Sequence, residues 1–154
     1  MNDFNEIRRF YAGTVLLSGA LTSGRDLFAA QVMGADLGYI GTAFLATQEC
    51  EVEATYKQMI VRANADQITN TNLFSGLPAN YLKESIVRAG LDPDHLPKVE
   101  KPGVGTGGHD RFKLWKDIWA AGQGVGNIDQ VTTVAELVAR LEDEYRGARA
   151  AFTD

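Results

Sequence analysis

The chain has 154 residues, 45% of them apolar and 23% charged, which is enough for one domain with its own core and excludes a disordered or fibrous class. Its net charge of −5, with no cluster of Lys and Arg, argues against a nucleic-acid binder, whose affinity rests on cationic contacts to phosphate. A single cysteine, Cys50, excludes an internal disulfide and points to a reducing, cytoplasmic setting.

Residues 1–6 lack the basic and apolar blocks of a secretion signal, and no apolar run reaches the ~18 residues of a membrane span. Residues 4–11 (FNEIRRFY) have helical spacing in Phe4, Ile7, Arg8 and Tyr11, and Gly13 stops the pattern. Residues 14–18 (TVLLS) are a continuous apolar run, the pattern of a strand covered on both faces. Residues 24–33 (GRDLFAAQVM) suit a helix, ended by Gly34. Residues 37–41 (LGYIG) form a second short strand, and residues 45–63 read as one long helix with Tyr56, Met59 and Ile60 on one side. This order predicts a right-handed βαβ unit with two neighbouring parallel strands.

From residue 66 the pattern changes. Residues 66–80 carry turn residues and a little β-propensity, residues 81–90 (YLKESIVRAG) read as a helix ended by Gly90, and residues 91–110 read as a proline- and glycine-rich loop. Residues 111–122 (RFKLWKDIWAAG) form an amphipathic pattern with Phe112, Trp115, Ile118 and Trp119 on one face, which predicts burial of that face. After the glycine turn at 123–127, the last helix has Thr132 or Thr133 as N-cap, Glu136 placed to close a capping box with Thr133, and a stripe of Val134, Leu137, Val138 and Leu141. Two apolar parallel strands alone do not make a stable sheet, so the pattern predicts a chain that is part of something larger or is completed by a partner.

The stretch "SGALTSG" (18–24) lies where the first strand hands over to a helix. Spacing leaves two readings open: an ordinary turn, or a phosphate cradle in which small residues expose backbone amides near a helix start. Gly41-Thr42 after the second strand repeats the arrangement, and loops after adjacent parallel strands form such sites in (β/α)₈ barrels. There is no GxxxxGK[ST] loop, and "GVGTGG" (103–108) does not follow a strand, so neither a P-loop nor a dinucleotide fingerprint is present. Cys50 lies between Glu49 and Glu51, acids whose negative charge disfavours a thiolate nucleophile. His95 and His109 fall in the polar loop and read as solvated, with no metal-ligand spacing around them.

The stretches "SGALTSGRDLFAAQVMGADLGYIGTAFLATQE", "FSGLPANYLKESIVRAGLDPDHLP" and "WKDIWAAGQGVGNI", in this order, resemble the C-terminal half of the nitronate monooxygenases, formerly 2-nitropropane dioxygenases. The resemblance implies an α/β fold: residues 1–65 as the last two strands and helices of an FMN-binding TIM barrel, and residues 66–154 as a mostly helical extension packed on it. It implies that Ser18, Gly19, Ala20, Tyr39, Ile40, Gly41 and Thr42 hold the FMN phosphate, with Gln123 near the flavin. The family usually has a second glycine where this chain has Ala20. The resemblance further implies alkyl nitronate and O₂ as substrates, a carbonyl compound and nitrite as products, and a catalytic histidine that neither His95 nor His109 matches. The chain alone is therefore expected to be inactive, with a missing N-terminal barrel half or a homo-oligomer as its partner. Two alternatives stand beside this reading: another flavin barrel, such as an enoyl reductase, and a non-catalytic fragment that binds phosphate or a partner chain.

Overall fold

The computed structural model describes residues 3–97 and 116–152. It is an α/β structure with two small sheets. Helix α1 (Asp3–Phe10) leads to β1 (Leu16–Ser18), α2 (Gly24–Val32) and β2 (Leu37–Tyr39). As the apolar runs predict, β1 and β2 are parallel neighbours, with Leu16, Leu17 and Ser18 opposite Leu37, Gly38 and Tyr39. Arg8 ties α1 to the base of this pair: its guanidinium donates to Gly13 O, Gly34 O and the Asp36 carboxylate, and Asp36 Oδ2 also accepts from Val15 N.

The expected double cover of the pair is missing among the described residues. Val15 is buried, but Leu16, Leu37 and Tyr39 are about half exposed or more. The apolar run therefore encodes a surface that the described part of the chain leaves open.

The helix read over 45–63 is a correction. It is two helices, α3 (Thr42–Leu45) and α4 (Ala54–Arg62). The segment between them is drawn out by a distant partner. Thr47 bridges Thr132 in parallel, Gln48 N donates to Thr132 O, Thr132 N donates to Ala46 O, and the Glu49 carboxylate accepts from Val134 N. The backbone groups that would continue a helix are taken by the entry to the last helix instead.

Residues 66–82 form more structure than their composition predicts. After a 3₁₀ turn (Ala65–Gln67), β3 (Ile68–Thr71) and β4 (Ala79–Leu82) pair antiparallel. Tyr81 and Leu82 thus belong to a strand, and helix α5 starts at Lys83 and ends at Arg88. The helical pattern read over 111–122 falls largely outside the described residues, Phe112 and Trp115 included. Its described end is not helical: Leu82 N donates to Trp119 O and Ala121 N to Asn80 O, so this stretch runs beside β4. The burial expected of its apolar face holds for Ile118 and Trp119, each 1% exposed.

Helix α6 (Val134–Ala151) packs along α2. Of its expected stripe, Leu137 and Leu141 are buried, while Val138 is exposed. One core cluster joins Ala43, Tyr56, Ile60, Leu82, Trp119 and Leu137, so residues from both halves of the sequence share it.

The predicted capping box is present: Thr133 Oγ1 accepts from Glu136 N, and Glu136 Oε2 accepts from Thr133 N. The Thr133 backbone N–H, with the Thr132 and Thr133 hydroxyls, holds the Glu136 carboxyl at about 2 against an ordinary 4.5. A carboxyl whose pKa is lower in the folded state stabilises above its unfolded value, and the contribution fades as pH falls through the window from 4.5 to about 2. Glu136→Gln is expected to flatten this part of the curve of urea midpoint against pH. An unchanged slope would show that the cap does not carry it.

Candidate functional site

The turn after β1 is shaped by two left-handed residues, Gly19 (φ +112°) and Ala20 (φ +54°). For an alanine this conformation costs about 1 kcal/mol that a glycine would not incur. The next residue but one, Thr22, is buried. Ser23 then caps α2 by accepting from Asp26 N, and Asp26 returns the bond to Ser23 N.

The turn after β2 leads from Gly41 into α3, whose first residue, Thr42, faces the 3₁₀ turn at Gln123–Asn127. Gly122 N donates to Thr42 Oγ1 at 2.9 Å. The hydroxyl of Thr42 accepts that bond and keeps its own proton free to donate. Gly124 lies flat against the first turn: a Cβ there would stand 2.7 Å from Thr22 Cγ2 and 2.8 Å from Ala20 O.

These three segments enclose a pocket of about 160 Å³. Its walls include Ser18, Gly19, Ala20, Tyr39, Gly41 and Thr42, all singled out in the sequence. Ile40 and Gln123 do not line it. Ile40 packs instead against the core cluster, as strand alternation after an outward Tyr39 requires, and Gln123 is exposed between two glycines that do line the pocket. Sequence reasoning missed Leu21 and Thr22, while the resemblance set the turn at 121–124, with Gly122 and Gly124, near the flavin.

Among the described residues the lining contains no carboxylate, and neither a lysine nor an arginine. It offers small residues, hydroxyls and backbone, a chemistry that suits an anion bound by neutral donors. The α2 N-terminus is already engaged, since Gly24 N donates to Glu144 Oε2 at 2.7 Å. The donors left for an anion are therefore those of the two turns rather than this helix end.

His95 is exposed and away from the pocket walls. Its Nδ1 lies 2.7 Å from Asp92 Oδ2, and that hydrogen bond raises the imidazole pKa above its ordinary value. His109 lies outside the described residues. Among the described residues no group of His, Cys, Asp and Glu could hold a metal ion, and no helix is long and apolar enough to cross a membrane.

Residues 14–144 match the profile of the nitronate monooxygenase family. The chain belongs to that family. A probable nitronate monooxygenase of Staphylococcus haemolyticus is 32% identical over 146 residues, covering 86% of this chain and 38% of that protein. The nitronate monooxygenase of Paraburkholderia phytofirmans is 28% identical over 138 residues, with the same two coverages. The chain thus spans well under half the length of the nitronate monooxygenases it matches. The fold is similar to that of FabK from Thermotoga maritima (TM-score 0.68, 22% identity), with 97% of this chain and 50% of that one aligned. It is also similar to a nitroalkane oxidase from Streptomyces ansochromogenes (TM-score 0.67, 22% identity), over 97% of this chain and 44% of that one.

Proposed function

We propose that this chain carries the FMN-phosphate site of a flavin-dependent nitronate monooxygenase. Residues 1–65 supply the last two strands and helices of a (β/α)₈ barrel, and residues 66–154 pack on them. One observation carries the reading: the turns after two adjacent parallel strands and a glycine turn from far along the chain converge on one small pocket lined without a carboxylate. Membership of the family supports it.

The pocket has room for a phosphate group. Gly19 and Gly41 suit this use, because a Cβ at either would project into open space with no atom within 4 Å. Thr42 would donate its hydroxyl proton to a phosphate oxygen, while the Gly122 amide fixes the oxygen that carries it. Gly124 lets the turn at 19–22 approach closely enough to close the wall. When bound, FMN supplies the redox chemistry that converts an alkyl nitronate and O₂ to a carbonyl compound and nitrite. The residues described here bind and orient; among the described residues, none lining the pocket is a histidine or a carboxylate.

The test compares FMN with riboflavin on the purified chain by flavin fluorescence, with nitrite release from propyl nitronate followed in parallel. FMN is expected to bind at least about tenfold more tightly than riboflavin, the scale of one charge-assisted hydrogen bond. Nitrite release is expected to stay at background. Equal affinities would refute the phosphate site, and robust turnover would refute the division of labour.

A further inference from the structure

We propose that Asp26 is a positioning residue of this pocket, a conclusion that rests on reading the pocket as a phosphate site. The carboxylate does not line the pocket; it stands behind the 18–22 turn. One oxygen, Oδ2, collects Thr22 N at 2.9 Å, Ser23 N at 2.8 Å and Thr22 Oγ1 at 3.4 Å. A capping box needs only the Ser23 contact. The two bonds to Thr22 reach further back along the chain and fix the residue two positions after the left-handed Ala20.

Thr22 carries the constraint across the pocket. Its buried Oγ1 accepts from Asn127 Nδ2 at 2.9 Å, from the far end of the glycine turn, and its methyl faces Gly124. Asn127, Thr22 and Asp26 thus form a chain of hydrogen bonds that runs from one wall to the helix behind the other. Burial by itself would raise the Asp26 carboxyl, but the bonds from Thr22 and Ser23 outweigh it and hold the pKa below its ordinary value, so the group stays ionised near neutrality. The other charges at this end of α2 are Arg25, on the helix itself, and Glu144 from α6, which takes the Gly24 amide and pairs with Arg140 at 3.2 Å.

A negative charge behind an anion site is unfavourable unless its role is to hold donors in place. Positioning and repulsion therefore predict opposite results. Asp26→Ala, Asp26→Asn and Asn127→Ala are compared with the parent chain in two measurements. The first is the ratio of FMN to riboflavin affinity, which a general loss of stability would not move. The second needs no ligand: amide hydrogen exchange at residues 19–23, with the core amides of α4 as reference.

Asp26→Ala is expected to lower the affinity ratio about tenfold and to speed exchange in the turn while α4 is unchanged. Asp26→Asn, which keeps one oxygen but loses the charge, is expected to fall between, and Asn127→Ala combined with Asp26→Ala to cost less than the sum of the two. An unchanged ratio with unchanged exchange would overturn the proposal, and so would tighter FMN binding in either Asp26 variant. A parent chain that does not distinguish FMN from riboflavin would overturn the phosphate reading instead. In that case the exchange data alone decide whether Asp26 orders the turn.

Discussion

Gly24→Ala is expected to destabilise the chain by about 3 kcal/mol, at the upper end of overpacking costs. Gly24 is buried at the first position of α2, where the helix meets α6. A Cβ there would fall against the backbone of Leu141 and Tyr145, well inside van der Waals contact, and 2.7 Å from Glu144 Cβ. Backbone of a neighbouring helix cannot swing aside as a flexible side chain can. The two helices would have to part, straining the Gly24–Glu144 bond and the edge-to-face contact of Phe28 with Tyr145. Gly147, on α6, provides the contrast. Its Cβ would meet nothing within 4 Å, so Gly147→Ala is expected to stabilise by roughly 0.5–1 kcal/mol through helix propensity alone. Chemical denaturation of the two variants checks both signs. A Gly24→Ala variant as stable as the parent would show that the α2–α6 contact is not tight.

Trp119→Ala is expected to remove about 3–5 kcal/mol, a large share of the ~5–15 kcal/mol that stabilises a typical domain. The indole is buried and stacks on Tyr56, with centroids 4.8 Å apart and planes 12° from parallel. The Arg88 guanidinium lies 3.6 Å from the ring centroid. Ala would leave a cavity, free the arginine from its ring and undo the stack in one step. The backbone of the same residue bonds Ser85 Oγ, which in turn donates to Leu82 O, so the local chain path is set independently of the ring. Trp119→Phe, which keeps an aromatic face, is expected to recover about half of the loss. The measurement is the melting temperature, expected to drop by roughly 10 °C for the alanine variant. A shift within error would mean that the stack is marginal to stability.

The parallel pair, the helix between its strands and the capping box of α6 were legible because each depends on neighbours in sequence. Apolar runs and Thr133 followed by Glu136 are local signals. The break between α3 and α4 was not legible. Residues 46–49 have helical composition, and what draws them out is Thr132 and Val134, more than 80 positions away. The β3–β4 hairpin was faint for a related reason, since its four-residue strands are supported by Trp119 and Ala121 from a distant segment. In the site, turns after strands announce themselves through small residues. The wall built by Gly122 and Gly124 could not be placed beside Thr42 and Ala20 without the fold. Ile40 was placed in the site by the family resemblance, and its side chain packs against the core cluster.

The pocket is closed by bonds that join the two ends of the described chain: Thr22 with Asn127, 105 positions apart, and Gly24 with Glu144, 120 apart. During synthesis the 18–22 turn leaves the ribosome long before either partner exists. The strands and helix that carry it have their local contacts early, but the cradle does not. Loop closure over such separations is among the slowest steps available to a chain of this size. Ligand capture should therefore appear only once residue 127 has emerged, and a nascent chain arrested before it is expected to be blind to phosphate.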